Sequence, residues 1–218
     1  MADFDALIAG YRRFHKTGWA HERERWQQLA QAQSPRVMVI ACSDSRVDPS
    51  QIFDASPGEM FVVRNVAALV PPYEPDSSEG AGGFHGVSAA LEFAVTQLGV
   101  AEIVVLGHGQ CGGCAAALTA RFAGAPDGAG GFIARWISML ADAREKVLID
   151  YGGDVDAHAL EAMEHEAVKV SLANLRSFPW VGEGEAAGSL TLHGAYFAIA
   201  DGGLQVLDET SGIFAKLP

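Results

Sequence analysis

An unbroken apolar run that ends in a cluster of reactive side chains constrains this chain more than any other feature. Residues 37–41 (VMVIA) form a short apolar run, which is typical of a central parallel strand covered on both faces. A polar turn follows and carries Cys42, Asp44 and Arg46 within five residues. In an open α/β sheet, ligands and chemistry gather at the carboxyl ends of the strands. Because alternate residues of an extended chain point the same way, these three side chains can face one cleft.

A second stretch of the same kind lies further along the chain. Residues 102–106 (EIVVL) predict another buried strand, and they lead into a glycine-rich segment that carries His108 and Cys111. If the two strands are neighbours, Cys42 meets His108 and Cys111 at one edge of the sheet. Two thiolates and one imidazole leave the fourth position of a tetrahedral zinc shell open for water. The residues alone therefore allow a zinc site with one Zn²⁺ per subunit and one open position, or simply two buried thiols and a surface imidazole.

These paired motifs resemble those of the β-class carbonic anhydrases. The first motif runs from Cys42 to Arg46 (CSDSR), and the second, His108-x-x-Cys111-Gly-Gly, begins 66 positions after Cys42. Shorter matches continue along nearly the whole chain: Pro57-Gly58-Glu59, Arg64-Asn65-Val66-Ala67, Pro71-Pro72, Asn174-Leu175-Arg176, His193-Gly194 and Asp201-Gly202-Gly203. The resemblance implies a zinc enzyme, a carbonic anhydrase (carbonate dehydratase).

The resemblance also implies the reaction and the roles of two residues. Carbon dioxide would be hydrated reversibly to bicarbonate and a proton by zinc-bound hydroxide. Asp44 would accept a hydrogen bond from the hydroxide and direct its lone pair toward carbon dioxide. Arg46 would hold Asp44 ionised and oriented through a bidentate pair. The zinc ligands would be Cys42, His108 and Cys111.

The substrate pocket is predicted from the chemistry of the substrate. Carbon dioxide carries no charge, so its pocket should be apolar, and Val66, Val87 and Phe93 are the candidates. Ser56 joins them because it stands where plant-like members of the family often carry a glutamine that orients substrate.

Two substitutions separate the chain from the bicarbonate-regulated subgroup of the family. In that subgroup a Trp, a Tyr and an Arg hold bicarbonate and favour a closed form, in which the residue matching Asp44 displaces water from zinc. Here Arg64 is present, but Val39 and Phe197 replace the other two. Valine has no indole N–H and phenylalanine has no hydroxyl. We therefore expect the open subgroup, with Asp44 paired to Arg46.

The residues leave other functions open. Cys111-Gly-Gly-Cys114 could be the pair of a thiol redox protein, although that function leaves Asp44 and Arg46 unexplained. Cys114 could also close the zinc shell, which would make the metal structural. The resemblance favours Cys114 as a small core residue. A carbon disulfide hydrolase on the same fold would share the active-site residues.

Composition bounds the partners and the compartment. A net charge of −12 argues against nucleic acid and against anionic membrane surfaces. No apolar run reaches about 18 residues, and the first residues lack the apolar segment of a signal peptide. Three cysteines, an odd number, fit a reducing compartment better than disulfides. We therefore expect a cytoplasmic protein.

The remaining pattern predicts the architecture. Strands that alternate with helices, with a late hairpin, favour an α/β fold. We predict about four parallel strands plus an antiparallel edge strand, flanked by helices, and we expect Pro179 to end the helical region before it. Residues 1–34 should form a helical dimerisation arm, and residues 35–218 a single catalytic domain. The arm could pack on its own domain, but the resemblance implies packing on a second subunit, in a homodimer or homotetramer.

Overall fold

The structure, a computed structural model, describes residues 3–75 and 85–218. It divides the chain into two compact units, Met1–Ser34 and Pro35–Pro218. The described part of the first unit contains three helices, α1 (Phe4–Lys16), α2 (Gly18–His21) and α3 (Arg23–Leu29). Asp3 caps the N-terminus of α1, because its carboxylate accepts a hydrogen bond of 2.8 Å from the Ala6 N–H.

The apolar side chains of the first unit remain largely in contact with solvent. Phe4, Leu7 and Tyr11 on α1 are exposed. Phe14 packs edge-on against Trp26, with the ring centroids 5.8 Å apart. The predicted helical character of this segment is confirmed. Its packing on a second subunit stays a prediction.

In its described residues, the second unit is built around one mixed sheet of six strands. They are β1 (Val37–Cys42), β2 (Met60–Asn65), β3 (Glu102–His108), β4 (Thr191–Ala198), β5 (Gly203–Asp208) and β6 (Ile213–Lys216), in the order β2-β1-β3-β4-β5-β6. The first four in this order are parallel, and β5 and β6 are antiparallel additions. The predicted α/β fold is therefore confirmed, and β6 adds a second antiparallel strand.

Helices flank this sheet. They are α4 (Pro49–Ile52), α5 (Gly86–Glu92), α6 (Gly112–Leu118), α7 (Gly131–Ile137), α8 (Ala141–Asp150), α9 (Ala157–Leu175) and α10 (Pro179–Ala186). A π-helical segment, Phe93–Leu98, continues α5. The expectation that Pro179 ends a helical region is wrong in one respect, because this proline opens α10, where its fixed φ suits a first helical position. None of the described helices is both long and apolar enough to cross a membrane.

The central strand β1 explains why the sheet is stable and where its chemistry lies. Met38 and Ile40 pack into a core cluster with α9, and Val39 and Ala41 pack into a second cluster. All four side chains are fully buried. A strand buried on both faces must be apolar throughout its length, as predicted. Its polar continuation therefore emerges only at its carboxyl end.

Candidate metal centre

Two neighbouring strands bring the predicted ligands together. β1 and β3 are parallel and hydrogen-bonded, with Ala41 opposite Leu106. Their carboxyl ends therefore meet at one edge, which is where parallel sheets place their sites. Cys42 is the last residue of β1, and His108 is the last residue of β3. Cys111 follows in the connecting turn and precedes the first residue of α6.

The three predicted ligands form one compact, buried cluster. One possible ligand atom from each of Cys42, His108 and Cys111 lies within 4.8 Å of the other two. Tetrahedral zinc with Zn–S and Zn–N bonds of ordinary length separates its ligand atoms by about 3.5–3.8 Å. Among residues 3–75 and 85–218, this is the group of His, Cys, Asp and Glu side chains that could hold a metal ion. Cys114 is buried in the same core cluster as Cys42 and Cys111 but does not belong to the group that could hold a metal.

The imidazole of His108 is oriented as a metal ligand requires. Its Nδ1 lies 2.9 Å from the carbonyl oxygen of Gly109, so this nitrogen carries the proton and donates. Its Nε2 is buried and makes no hydrogen bond that meets the distance and angle limits within residues 3–75 and 85–218. A buried acceptor without a partner costs free energy, and a cation at the cluster would remove that cost. The histidine therefore fits a metal.

The two thiols also fit a cation. The neighbouring Cys111 thiol, together with burial, raises the pKa of Cys42 to about 12. The Cys114 thiol beside it, together with burial, raises the pKa of Cys111 to about 12 although Cys42 acts in the opposite direction. Thiolates are what a metal binds. A divalent cation at the cluster would supply the positive charge that two adjacent buried thiolates need.

Asp44 and Arg46 form the predicted pair. Arg46 Nε donates to Asp44 Oδ1 at 2.9 Å, and Arg46 Nη2 donates to Oδ2 at 2.7 Å. The backbone N–H of Arg46 also donates to Oδ1, at 2.9 Å. These contacts hold the pKa of Asp44 well below its usual range. Arg46 Nη2 further donates to the Gln110 carbonyl oxygen at 3.0 Å, which ties the first motif to the second.

Arg64 organises the turn between Cys42 and Asp48. It donates to the carbonyl oxygens of Cys42 at 2.9 Å and Asp44 at 2.6 Å. It also reaches the Val47 carbonyl at 3.0 Å and the Asp48 carboxylate at 3.3 Å. The sequence identified Arg64 through the short family match at residues 64–67 and through the bicarbonate-regulated motif. Its contacts with three carbonyls show a structural task, namely to hold the turn that carries Asp44.

The predicted substrate-pocket residues have different surroundings. Val66 packs against the start of α6, where a Cβ on Gly113 would come within 2.9 Å of its Cγ1. Val87 lines a cavity of about 460 Å³ together with Arg64. Phe93 is exposed, and its ring packs on the ring of Phe61 in β2. The Ser56 N–H donates to the Glu59 carboxylate at 2.9 Å. The substrate pocket stays a prediction.

One buried residue beside the cluster was missed by the sequence. Glu164 on α9 is 2% exposed, and its Oε1 accepts a hydrogen bond of 2.7 Å from the Cys111 N–H. Burial raises the pKa of this carboxyl group, although its two donors oppose the shift. The signal that could have found it is spacing, since Glu164 precedes Val168 by one helical turn and shares its buried face.

Comparison with known proteins identifies the family. A family model described as carbonic anhydrase matches residues 37–204. The chain is 36% identical to beta carbonic anhydrase 5, chloroplastic, of Arabidopsis thaliana over 198 residues. This match covers 91% of this chain and 62% of that protein. It is also 36% identical to a carbonic anhydrase of Pseudomonas aeruginosa over 212 residues. That match covers 97% of this chain and 90% of the relative.

Solved structures agree with these sequence matches. The β-carbonic anhydrase CcaA superposes with a TM-score of 0.88 at 28% identity, over 99% of this chain and all of that one. A tetrameric β-carbonic anhydrase of Sordaria macrospora superposes with a TM-score of 0.79 at 27% identity, over 94% of this chain and 96% of that one. The family model covers most of the chain, from β1 to the start of β5. The chain therefore belongs to the β-carbonic anhydrase family.

Proposed function

We propose that this protein catalyses the reversible hydration of carbon dioxide to bicarbonate and a proton, with one zinc ion per subunit. One observation carries the proposal: the buried cluster of Cys42, His108 and Cys111 lies beside an Asp44 carboxylate that is held ionised by Arg46. Membership of the β-carbonic anhydrase family supports it.

The three ligand side chains supply a site of the required softness and charge. Two thiolates and a neutral imidazole balance the charge of Zn²⁺, and this donor set is one that zinc prefers. Zinc bound there would act as a Lewis acid that brings the pKa of a bound water molecule toward neutrality. The Gly109 carbonyl keeps the His108 proton on Nδ1, so that Nε2 is the nitrogen that faces the cluster.

Asp44 orients the attacking oxygen. A carboxylate has about four acceptor positions, and Arg46 occupies three of them through its backbone N–H, Nε and Nη2. One acceptor position on Oδ2 is left over. We propose that this position accepts the hydrogen of the attacking oxygen and so directs its lone pair at the carbon of carbon dioxide. Val66 and Val87 are proposed to line the apolar part of the pocket.

Two measurements on the purified protein test this function. Metal analysis should find one zinc per chain, and a stopped-flow assay with a pH indicator should show hydration of carbon dioxide. Metal without hydration would favour a structural zinc site or a carbon disulfide hydrolase, and hydrolysis of carbon disulfide should be assayed in parallel. A protein without zinc whose mass falls by two hydrogens per chain on oxidation would favour the thiol redox function of Cys111 and Cys114.

We further propose that the protein belongs to the open, non-bicarbonate-regulated subgroup. The bidentate contact of Arg46 with Asp44 supports this, as do Val39 and Phe197, which offer bicarbonate no hydrogen-bond donor. A ligand shifts an equilibrium only through its different affinities for two states. Activity should therefore titrate as a single, non-cooperative ionisation. A crystal structure at neutral pH with Asp44 bound directly to zinc would disprove the assignment.

Self-association is the last part of the proposal. The exposed Phe4, Leu7 and Tyr11 of α1 offer an apolar surface that a second copy of the chain would cover. A similar structure from Sordaria macrospora is described as tetrameric, which supports an assembly of two or four chains.

A further inference from the structure

A buried pair of side chains, Glu164 and Tyr196, lies directly behind the turn that carries two of the three ligands. The Glu164 Oε1 accepts from the Cys111 N–H at 2.7 Å, and its Oε2 accepts from the Tyr196 hydroxyl at 2.8 Å. Both residues are at most 4% exposed. The phenolic oxygen of Tyr196 also approaches Gly109, where a Cβ would come within 3.1 Å of it. The pair therefore touches the turn at Cys111 and again next to His108.

The two hydrogen bonds of Glu164 are those that a carboxylate needs. A donor lies within hydrogen-bond distance of each of its oxygens, and donors of this kind favour the ionised form of a carboxyl group. Taking an ionised carboxylate out of water is costly unless its surroundings compensate. The proposed reaction assigns no step to this residue. A divalent cation a short distance beyond Cys111 would supply compensating charge.

The contact with Cys111 reaches the ligand through its backbone. Cys111 immediately precedes α6, so the direction of its N–H and the position of its Sγ are set together by the same turn. Gln110 just before it has a left-handed backbone with φ of 57°, a conformation that costs free energy for a residue with a side chain. The turn therefore needs external contacts to hold it in this shape.

We propose that Glu164, supported by Tyr196, is a positioning residue that holds Cys111 in place for zinc and strengthens zinc retention through its negative charge. This inference rests on the proposed zinc site. It assigns Glu164 a role in metal binding and in placing the ligand, and no contact with carbon dioxide. Partners of this kind, which orient a ligand without touching the metal, typically change metal affinity by about 10- to 100-fold when they are removed.

The test compares zinc affinity between matched variants of the full-length protein. Glu164→Gln keeps the size of the side chain and one acceptor oxygen but removes the charge. Glu161→Gln makes the same change three residues earlier on α9, at an exposed position. Competition with a chromogenic chelator should show zinc bound about 10- to 100-fold more weakly by Glu164→Gln, and unchanged by Glu161→Gln. In the cobalt(II)-substituted protein, the thiolate-to-metal absorption should shift in the first variant only.

Tyr196→Phe supplies an independent variant. It removes the hydroxyl that donates to Glu164 and keeps the aromatic ring, so it should weaken zinc binding less than Glu164→Gln but measurably more than Glu161→Gln. Wild-type zinc affinity both in Glu164→Gln, which loses the charge, and in Glu164→Met, which also loses the acceptor for the Cys111 N–H, would overturn the positioning role while the proposed function stands. Where neither variant folds, wild-type affinity in Tyr196→Phe would overturn it. A wild-type protein that holds no zinc would overturn both.

Discussion

Replacing Asp44 with asparagine tests the orienting role directly, because the structure shows which acceptor positions of the Asp44 carboxylate are already occupied. Arg46 places two donors, its backbone N–H and its Nε, on Oδ1, and one donor on Oδ2. An oxygen accepts about two hydrogen bonds. In Asp44→Asn the single remaining oxygen is filled by the two donors at the Oδ1 position. The new amide nitrogen faces Arg46 Nη2, donor against donor, so no acceptor is left for the attacking oxygen.

The expected loss of catalytic rate in Asp44→Asn is the loss caused by removing one orienting hydrogen bond. Removing a single preorganised polar group from an active site costs about 100- to 1000-fold in rate, and orienting contacts at the weaker end cost about 10-fold. We therefore expect kcat/KM for carbon dioxide hydration to fall by about 10- to 1000-fold in stopped-flow measurements. Zinc content should remain at one per chain, because Asp44 is not one of the three ligands.

Asp48→Asn is the matched control. Asp48 lies on the same turn, where its carboxylate accepts from the Ser50 N–H at 2.9 Å and caps α4. Asparagine caps a helix about as well as aspartate but weakens the 3.3 Å contact with Arg64, which holds the same turn, so this variant measures the effect of disturbing the turn and should lose less activity than Asp44→Asn. An Asp44→Asn protein with full zinc and unchanged kcat/KM would refute the argument. Equal losses in both variants would show that the effect comes from disturbing the turn.

Three further predictions concern the metal and the assembly. Cys42→Ser replaces a soft thiolate with a poor hydroxyl ligand, so we expect substoichiometric zinc and lost hydration activity; full zinc by metal analysis with normal activity would reject the ligand assignment. Zinc binding to the metal-free protein at pH 7 should release two protons or more, because the pKa values of Cys42 and Cys111, raised to about 12, keep both thiols protonated and the raised pKa of His108 adds a fraction of a third proton; calorimetry in buffers of different ionisation enthalpy would measure this, and no proton release would contradict it. Light scattering at micromolar concentration should show a dimer or a larger assembly, and an active monomer would be inconsistent with the exposed apolar face of α1.

Local patterns in the chain were sufficient to predict the centre of the molecule. The apolar run of β1 is short and rich in β-branched residues, and these two properties together favour a strand that is buried on both faces. The spacing of His108 and Cys111 after a second such run places both at a strand end. Asp44 and Arg46 are two residues apart, so their side-chain contact could be predicted from the sequence, although distant residues hold the turn that carries them.

The tertiary structure decided the features that depend on distant partners. Glu164 is one of three glutamates in α9; its spacing from Val168 indicates the buried face, but only the packing of α9 behind the Cys111 turn shows that its carboxyl group contacts the Cys111 N–H. Arg64 contacts carbonyls that are 17 to 22 residues away in sequence, and backbone carbonyls carry no sequence signal. The short β6 exists because β5 offers it an edge. Burial and hydrogen-bond partners of this kind are properties of the folded chain, whereas an apolar period is a property of the sequence.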